Sequence, residues 1–138
     1  MKRIVNLTRK EIFAASHRLH SNELSDEENK KLFGKCNHIH GHGHNYGLDV
    51  TVRGEIDEKT GIVINLVDLK DIIHDVVMSK VDHRHLNFDV EEFKTMNPTT
   101  ENLALVIWNW LDEAIGDELL YEVTVHETDK NSVTIHRQ

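Results

Sequence analysis

The strongest constraint on the fold is a strict alternation of residue types between positions 42 and 53. Successive side chains of a β-strand point to opposite faces of a sheet, so this pattern indicates a strand with one buried face. One face carries His42, His44, Tyr46, Leu48, Val50 and Val52. The other face carries Asn45, Gly47, Asp49, Thr51 and Arg53. The pattern therefore predicts a half-buried strand that begins with two imidazoles on its apolar face.

A second strand is predicted near the start of the chain, in "RIVNLTRKEIFAASHRL" (3–19), which is rich in branched and aromatic residues. Counting by two places Phe13, Ala15 and His17 on one face. The polar segment 20–41 that follows is predicted to be a long loop, of the kind that is usually functional or disordered. A short helical turn is expected within it, with Ser25 as the cap and Glu28 at the capping-box position.

Helical spacing replaces alternation in the middle of the chain. The segment 65–81 is predicted to be a helix with Asn65 as its N-cap. The segment 98–116 is predicted to be a second helix, which Pro98 and Thr99 or Thr100 start and which Gly116 ends. The apolar stripe of the first is Leu66, Leu69, Ile73, Val76 and Val77. That of the second is Leu103, Ile107, Trp110, Leu111 and Ala114. Two strands, 119–128 and 132–137, are predicted to close the chain around a turn.

The predicted order of elements is thus β-β-α-α-β-β. This order favours an α+β fold in which a four-stranded antiparallel sheet carries two helices on one face. We expect a single domain, residues 1–138, because the length suits one domain and no Gly/Ser-rich linker divides the chain. The open edges of so small a sheet favour oligomerisation by edge pairing.

Charge and cysteine content exclude several classes of protein. The net charge of −8 argues against nucleic acid or an anionic membrane as a partner, since both need a basic face. It leaves room for a local basic pocket that binds a phosphate. No apolar stretch approaches membrane-spanning length, and the first residues show no long apolar core or small-residue cleavage site, so we expect no secretory signal. The single cysteine, Cys36, cannot form an internal disulfide, so we expect a reducing compartment, by default the cytoplasm.

The histidines near the strand ends indicate a metal site. If the two N-terminal strands pair, His17, His42 and His44 converge, and three nitrogen ligands with one open position are typical of catalytic zinc. Two roles remain open for Cys36, which is either a fourth ligand or a reactive thiolate beside the metal. His38 and His40 are interpreted as bystanders, because a tetrahedral site cannot use every histidine.

Three further motifs offer catalytic or binding groups. Asp82 followed by His83 is the arrangement in which an aspartate orients a general acid or base, although a polar loop is an equal alternative. Glu127 ends a strand and can bind a guanidine-like ligand edge, or else turn out to solvent. The residues at 99–101 are foremost a helix cap, and they can also hold a flat heterocycle: Thr99, Thr100 and Glu101.

Several segments together resemble the 6-pyruvoyltetrahydropterin synthase family. They lie in order along nearly the whole chain: "FAASHRLHS", "LFGKCN", "GHGHNY", "GEIDEKTGIVINLVDLK", "VDHRHLN", "PTTEN" and "VTVHETDKNSV". The resemblance implies the T-fold, in which three subunits join their sheets into a barrel. It also implies that two trimers stack as a homohexamer with active sites between subunits.

The resemblance also implies a role for each candidate residue. It implies Zn²⁺ on His17, His42 and His44, and Cys36 as a proton acceptor and not a ligand. Asp82 and His83 are then a proton relay. Glu127 anchors a pterin, helped by Thr99, Thr100 and Glu101. The implied substrate is 7,8-dihydroneopterin triphosphate, and the nearby candidates for its triphosphate are Arg18, Lys35 and Arg84.

Two alternatives stand beside this prediction. The first is 6-carboxytetrahydropterin synthase of queuosine synthesis, a relative that typically has the spacing C-x3-H-x-H. This chain has C-x5-H-x-H from Cys36 to His44, which resembles the pyruvoyl enzyme. The second is a non-enzymatic metal-binding module, which explains the eleven histidines but not Glu127 or the Asp82–His83 pair.

Overall fold

The computed structural model describes residues 2–138 as an α+β arrangement built on one mixed sheet. Met1 belongs to the predicted domain 1–138 but lies outside the described residues, and the domain limits stay a prediction. The strands are β1 (Ile4–His17), β2 (His42–Glu55), β3 (Arg84–His85), β4 (Leu120–His126) and β5 (Ser132–His136). The helices are α1 (Asp26–Phe33), α2 (Leu66–Ile73), α3 (Ser79–Val81), α4 (Leu86–Asp89) and α5 (Thr100–Ile115).

The sheet has the strand order β3-β1-β2-β4-β5. The four long strands are antiparallel neighbours, as the sequence predicts. The prediction of a four-stranded, wholly antiparallel sheet is wrong in one respect, because the two-residue β3 adds a parallel fifth strand beside Ala15 and Ser16. Strand β3 contains only two paired residues. A segment this short shows no alternation of residue types, so the sequence pattern could not predict it as a strand.

The core lies on the face of the sheet that the alternation predicts. Phe13 and Ala15 of β1 pair with Tyr46 and His44 of β2, and the Phe13 and Tyr46 rings stack with their centroids 5.1 Å apart. From Tyr46 onward the predicted apolar face of β2 is fully buried, through Leu48, Val50 and Val52. Burying this continuous apolar stripe is the main driving force for packing the helices on the sheet.

The predicted caps are present, and α5 begins at Thr100, but the buried faces of the helices differ from the predicted stripes. The Asn65 side chain accepts a hydrogen bond from Val67 N at 2.8 Å and so caps α2, and Ser25 and Glu28 form the predicted capping box on α1. Two residues predicted in the apolar stripes, Leu66 and Ala114, are exposed.

The helix α5 buries a wider face than one stripe. It contacts β4, β5 and α2, and so it also buries Ala104, Val106 and Trp108. After α2 the helix continues through a π-helical turn (His74–Met78) into α3. Within residues 2–138, no helix is both long enough and apolar enough to cross a bilayer.

The opposite face of the sheet carries an ion cluster centred on Asp49. The Oδ2 atom of Asp49 lies 2.9 Å from His126 Nε2 and 3.1 Å from Lys10 Nζ, so the cluster joins three neighbouring strands. Burial alone raises the pKa of Asp49, but the hydrogen bonds and positive charges of His126 and Lys10 outweigh it and hold this pKa below its usual value. The ionised carboxylate therefore stabilises the folded sheet.

Replacement of Asp49 by Asn should make the protein less stable near neutral pH, by about 1 kcal/mol. Because the folded-state pKa is depressed, this stabilisation is present above the unfolded pKa of about 3.9 and is lost as pH falls through the folded-state value. Thermal unfolding from pH 3 to pH 7 should show the difference between the variant and the parent shrinking toward acid pH. Asp117→Asn, at an exposed carboxylate with no ion pair within residues 2–138, is the control. An Asp49→Asn deficit that is constant with pH would contradict this account.

Candidate active site and metal centre

Three imidazoles meet where β1 and β2 end side by side. The antiparallel register places His17 directly opposite His42, and His44 lies two residues further along the same face. The His17 and His44 ring centroids are 5.2 Å apart, and those of His42 and His44 are 4.8 Å apart. The three imidazoles therefore lie close together at the strand ends, and their role as a ligand set stays a prediction.

His17 is held in the tautomer that a metal requires. Its Nδ1 lies 2.7 Å from the carbonyl oxygen of Pro98, so this nitrogen carries the proton and donates it to the carbonyl. The opposite nitrogen, Nε2, is then left with a free lone pair. It is buried and has no hydrogen-bond partner within the described chain, and the same is true of His44 Nε2. Metal-binding histidines commonly use such a carbonyl contact to fix their orientation.

Burial favours the neutral form of two of these imidazoles. Desolvation lowers the pKa of His17, and the nearby His44 and His42 lower it further. Desolvation also lowers the pKa of His44. Neutral imidazoles with unpaired inward nitrogens are costly in an apolar site unless they bind something, and a cation that accepts nitrogen lone pairs satisfies both. The residues therefore fit a bound metal ion.

Cys36 joins this group from the loop before β2. It lies in a 3₁₀ turn (Gly34–Asn37), and its carbonyl accepts a hydrogen bond from Leu19 N at 2.8 Å. The Sγ atom and one ring nitrogen each of His17 and His44 all lie within 4.8 Å of one another. Within residues 2–138 this is the one group of such donors close enough to hold a metal, and it contains Cys36 but not His42. The role of His42 as a metal ligand stays a prediction.

The electrostatics of the site work against a free thiolate. Burial raises the pKa of the Cys36 thiol, and the negative charge of Glu127 raises it further. A thiolate at this position therefore needs a positive charge close by.

Glu127 lies just beyond β4 and is tied to the start of α5. The Thr100 hydroxyl donates to Glu127 Oε2 at 2.5 Å, while the Thr99 side chain accepts from Asn102 N and caps the helix. A cavity of about 370 Å³ is lined by Glu127, Thr99, Thr100 and Glu101 together with Leu19 and Phe33. The four predicted heterocycle-binding residues are thus brought together, and the capping role of Thr99 is confirmed.

The Asp82–His83 pair is formed, but it lies outside this cluster. Asp82 Oδ1 accepts a hydrogen bond from Ala14 N at 3.0 Å, and His83 Nδ1 lies 3.0 Å from the same oxygen. The backbone of His83 has a positive φ of 60°, and its side chain is 83% exposed. It lines a separate cleft of about 420 Å³ together with His44 and Arg84. His83 therefore borders the site at His44, and neither residue of the pair belongs to the group of donors around Cys36.

Comparisons with known proteins bear on this geometry. The model of the family described as 6-pyruvoyl tetrahydropterin synthase matches residues 6–138. This chain belongs to that family. A 6-pyruvoyl tetrahydrobiopterin synthase of Drosophila melanogaster is 54% identical over 129 residues, 93% of this chain and 77% of the relative. The Homo sapiens protein of that name is 52% identical over 127 residues, which are 92% of this chain and 88% of the relative.

A solved structure supports the same assignment. The structure of Caenorhabditis elegans 6-pyruvoyl tetrahydropterin synthase superimposes with a TM-score of 0.92 at 46% identity, and the match covers 99% of this chain and 97% of the other. The match to the 6-pyruvoyl tetrahydropterin synthase family thus extends over both the sequence and the fold of this chain.

Two contributors to the site in this family member were missed from the sequence. Pro98 acts through its carbonyl oxygen, and since every residue has one, its type gives no signal. Tyr46 lies over the site with its hydroxyl 3.4 Å from His17 Nδ1, and the alternation that places it on the face of His44 was a usable signal. His38 and His40 are exposed and lie outside the metal-binding group.

Gly41 closes the loop onto the site, and its replacement should disrupt it. Its φ is +83°, and a Cβ there would lie 2.8 Å from the His17 carbonyl oxygen and 3.0 Å from His85 Nε2. We expect Gly41→Ala to lower the free energy of unfolding by about 2–3 kcal/mol and to reduce the amount of bound metal retained after dialysis. Gly61→Ala is the matched control, because Gly61 has a φ of +75° but no described atom within 4 Å of an added Cβ. Equal effects of the two substitutions would show that close packing at Gly41 is unimportant.

Proposed function

We propose that this chain converts 7,8-dihydroneopterin triphosphate to 6-pyruvoyl-5,6,7,8-tetrahydropterin and triphosphate, a step of tetrahydrobiopterin biosynthesis. The observation that carries the proposal is the pair of buried, unpartnered Nε2 atoms of His17 and His44 beside the only thiol of the chain. Membership of the family and about 50% identity to synthases of this name support it over the full length.

We propose zinc as the metal, with His17, His42 and His44 as its ligands. Nitrogen donors at the ends of two rigid, paired strands suit a catalytic zinc that keeps one position open. His42 is exposed and lies opposite His17, so its ring can turn toward the same centre. When bound there, zinc supplies positive charge that polarises the side-chain hydroxyls of the substrate and favours loss of the neighbouring carbon-bound proton.

Cys36 is the proposed base that accepts that carbon-bound proton. It lies next to the imidazole cluster, and its turn is fixed by the hydrogen bond from Leu19 N to the Cys36 carbonyl. Asp82 Oδ1 lies 3.0 Å from His83 Nδ1, and this carboxylate is the proposed group that orients His83 so that its other ring nitrogen exchanges protons with a hydroxyl of the substrate. The triphosphate leaves and the side chain rearranges internally to two ketones, so no external redox cofactor is needed.

Glu127 is the proposed anchor of the pterin ring. A carboxylate can accept two parallel N–H bonds from the amino-pyrimidine edge, as it does from arginine. The Thr100 hydroxyl already donates to one of its oxygens and so orients it. The adjoining cavity carries polar groups of Thr99 and Glu101 beside the apolar Leu19 and Phe33, which suits a flat, partly polar ring.

We propose that the protein works as a homohexamer, a dimer of trimers whose sheets join into a barrel, in the cytoplasm. The exposed edges support the assembly: β5 ends the sheet, and β3 covers β1 only at Ala15 and Ser16. Ile12 of β1 is 74% exposed, which is unusual for a large aliphatic side chain on a long strand. The single free thiol supports a reducing compartment.

Product analysis tests the proposed reaction. The zinc-loaded protein, incubated without oxygen with 7,8-dihydroneopterin triphosphate, should release triphosphate and form a diketo pterin, detectable by mass spectrometry. Formation of a 6-carboxy pterin and acetaldehyde would assign the chain to 6-carboxytetrahydropterin synthase chemistry instead. An unchanged substrate with zinc bound would leave a non-enzymatic metal-binding module as the better account.

Replacement of Cys36 by Ala should separate the roles of base and ligand. If Cys36 acts as the base, the variant should keep its zinc and lose turnover by at least about 100-fold. Zinc content by atomic absorption and turnover should be measured on the same preparation. His17→Ala is the matched control, and it should lose both zinc and activity. Loss of zinc from Cys36→Ala to the level of His17→Ala would make the thiol a ligand.

A further inference from the structure

The hydroxyl of Tyr46 is a buried polar group that the steps above do not use. Tyr46 lies in β2, two positions after His44, and the whole residue is fully buried. Within residues 2–138 the hydroxyl makes one hydrogen-bond contact, with His17 Nδ1 at 3.4 Å. Buried polar groups are normally well paired, so a hydroxyl with a single long contact needs a physical explanation.

The contact between Tyr46 and His17 can run in only one direction. His17 Nδ1 lies 2.7 Å from the carbonyl oxygen of Pro98, so this nitrogen carries a proton and has no lone pair to offer. The Tyr46 oxygen must therefore act as an acceptor. It is a second and weaker acceptor for the same N–H, beside the carbonyl of Pro98.

The proton of the Tyr46 hydroxyl is left without an acceptor within residues 2–138. Burial raises the pKa of this hydroxyl, and the negative charges of Glu127 and Cys36 raise it further, so the oxygen keeps its proton. A buried donor that makes no hydrogen bond lowers stability, and a phenylalanine at this position would avoid that loss. The stability of the fold alone therefore does not account for the hydroxyl.

Three neighbouring rings hold the Tyr46 ring in place. It stacks on Phe13 with the centroids 5.1 Å apart and the ring planes 16° from parallel. It also meets His17 and His44 edge-on, with centroids 6.2 and 5.4 Å away. The hydroxyl is thus fixed at the Nδ1 side of the His17 ring, while His17 Nε2 is the buried atom that has no partner within the described chain.

We propose that Tyr46 is a positioning residue of the metal centre. Its hydroxyl and the Pro98 carbonyl together fix the His17 ring so that Nε2 is presented to the metal. This inference rests on the proposed function, which assigns His17 to zinc. A cation on Nε2 withdraws electron density from the ring and makes Nδ1–H a stronger donor, so two acceptor oxygens favour the metal-bound state. Of the two, only the hydroxyl can be removed by a side-chain substitution.

Tyr46→Phe tests this role because it removes the hydroxyl and keeps the ring that stacks on Phe13. It also leaves His17 Nδ1–H paired with the Pro98 carbonyl, so no new unpaired group is created. Competition of the zinc-loaded, full-length protein with a chromophoric chelator should show zinc affinity lower by about threefold to tenfold, a modest loss because the contact is long. The visible absorption bands of the cobalt-loaded variant should shift, since they report the geometry of the ligands around the metal.

Thermal unfolding in excess chelator separates positioning from a structural role. Without metal, Tyr46→Phe should unfold at the same temperature as the parent or at a higher one, because the variant lacks the unpaired buried donor. Tyr121→Phe is the matched control. It removes the same hydroxyl from the other tyrosine of the chain, whose ring packs against the Arg53 guanidinium with its carbon 3.6 Å from the ring centroid. Zinc affinity and the cobalt spectrum of Tyr121→Phe should match those of the parent.

The outcomes separate this inference from the proposed reaction. Zinc affinity in Tyr46→Phe equal to that of the parent, or lowered no more than in Tyr121→Phe, would overturn the inference even where the parent forms the diketo pterin. A lower unfolding temperature of Tyr46→Phe in chelator would also overturn it, because the hydroxyl would then serve the fold. Zinc binding that depends on Tyr46, in a protein that leaves 7,8-dihydroneopterin triphosphate unchanged, would overturn the proposed function and support the positioning role.

Discussion

The pairing of β1 with β2 is the constraint on which the rest of the structure depends. Its register sets His17 opposite His42 and Phe13 opposite Tyr46, so the same face that supplies the apolar core ends in three imidazoles. A slip of one residue would turn every side chain of one strand to the other face and would break the core and the cluster together. The stability of the sheet and the geometry of the site are therefore set by the same set of contacts.

The second level of organisation is electrostatic. Burial favours the neutral imidazoles of His17 and His44 and raises the pKa of Cys36, and the charge of Glu127 acts on all three. Without a cation, the site thus holds the unpaired Nε2 atoms of His17 and His44 and favours a protonated Cys36 thiol near the Glu127 carboxylate. A bound divalent ion reverses this balance, because it accepts the lone pairs and stabilises the thiolate. A cavity lined by Arg18, Lys30, Lys35 and His42 gives the region a second place for negative charge.

Much of this architecture was predictable because it is local. The alternation of residue types predicts which faces of β1 and β2 are buried. Residues that can cap a helix through their side chains indicate where α1, α2 and α5 begin, and these caps are Ser25, Asn65 and Thr99. The short parallel strand β3 was not predictable, since two residues have no period. The buried faces of the helices were predicted incompletely, because Ala104 and Trp108 are buried by neighbours that the sequence of α5 does not specify.

By itself the sequence determined which groups are available: three histidines on strand faces, one thiol, an Asp-His pair, a strand-end glutamate and the motifs of the family. Only the tertiary structure decided which of them meet. It joined His17 to the Pro98 carbonyl, 81 positions away, and Glu127 to Thr100, and it set Cys36 beside the imidazoles. It also placed Arg84 in a cleft with His83 and Arg18 in a different cavity, which Lys30 also lines. The physical reason is that local patterns fix the direction of a side chain, whereas distances between remote residues follow from strand register and from how helices pack on the sheet.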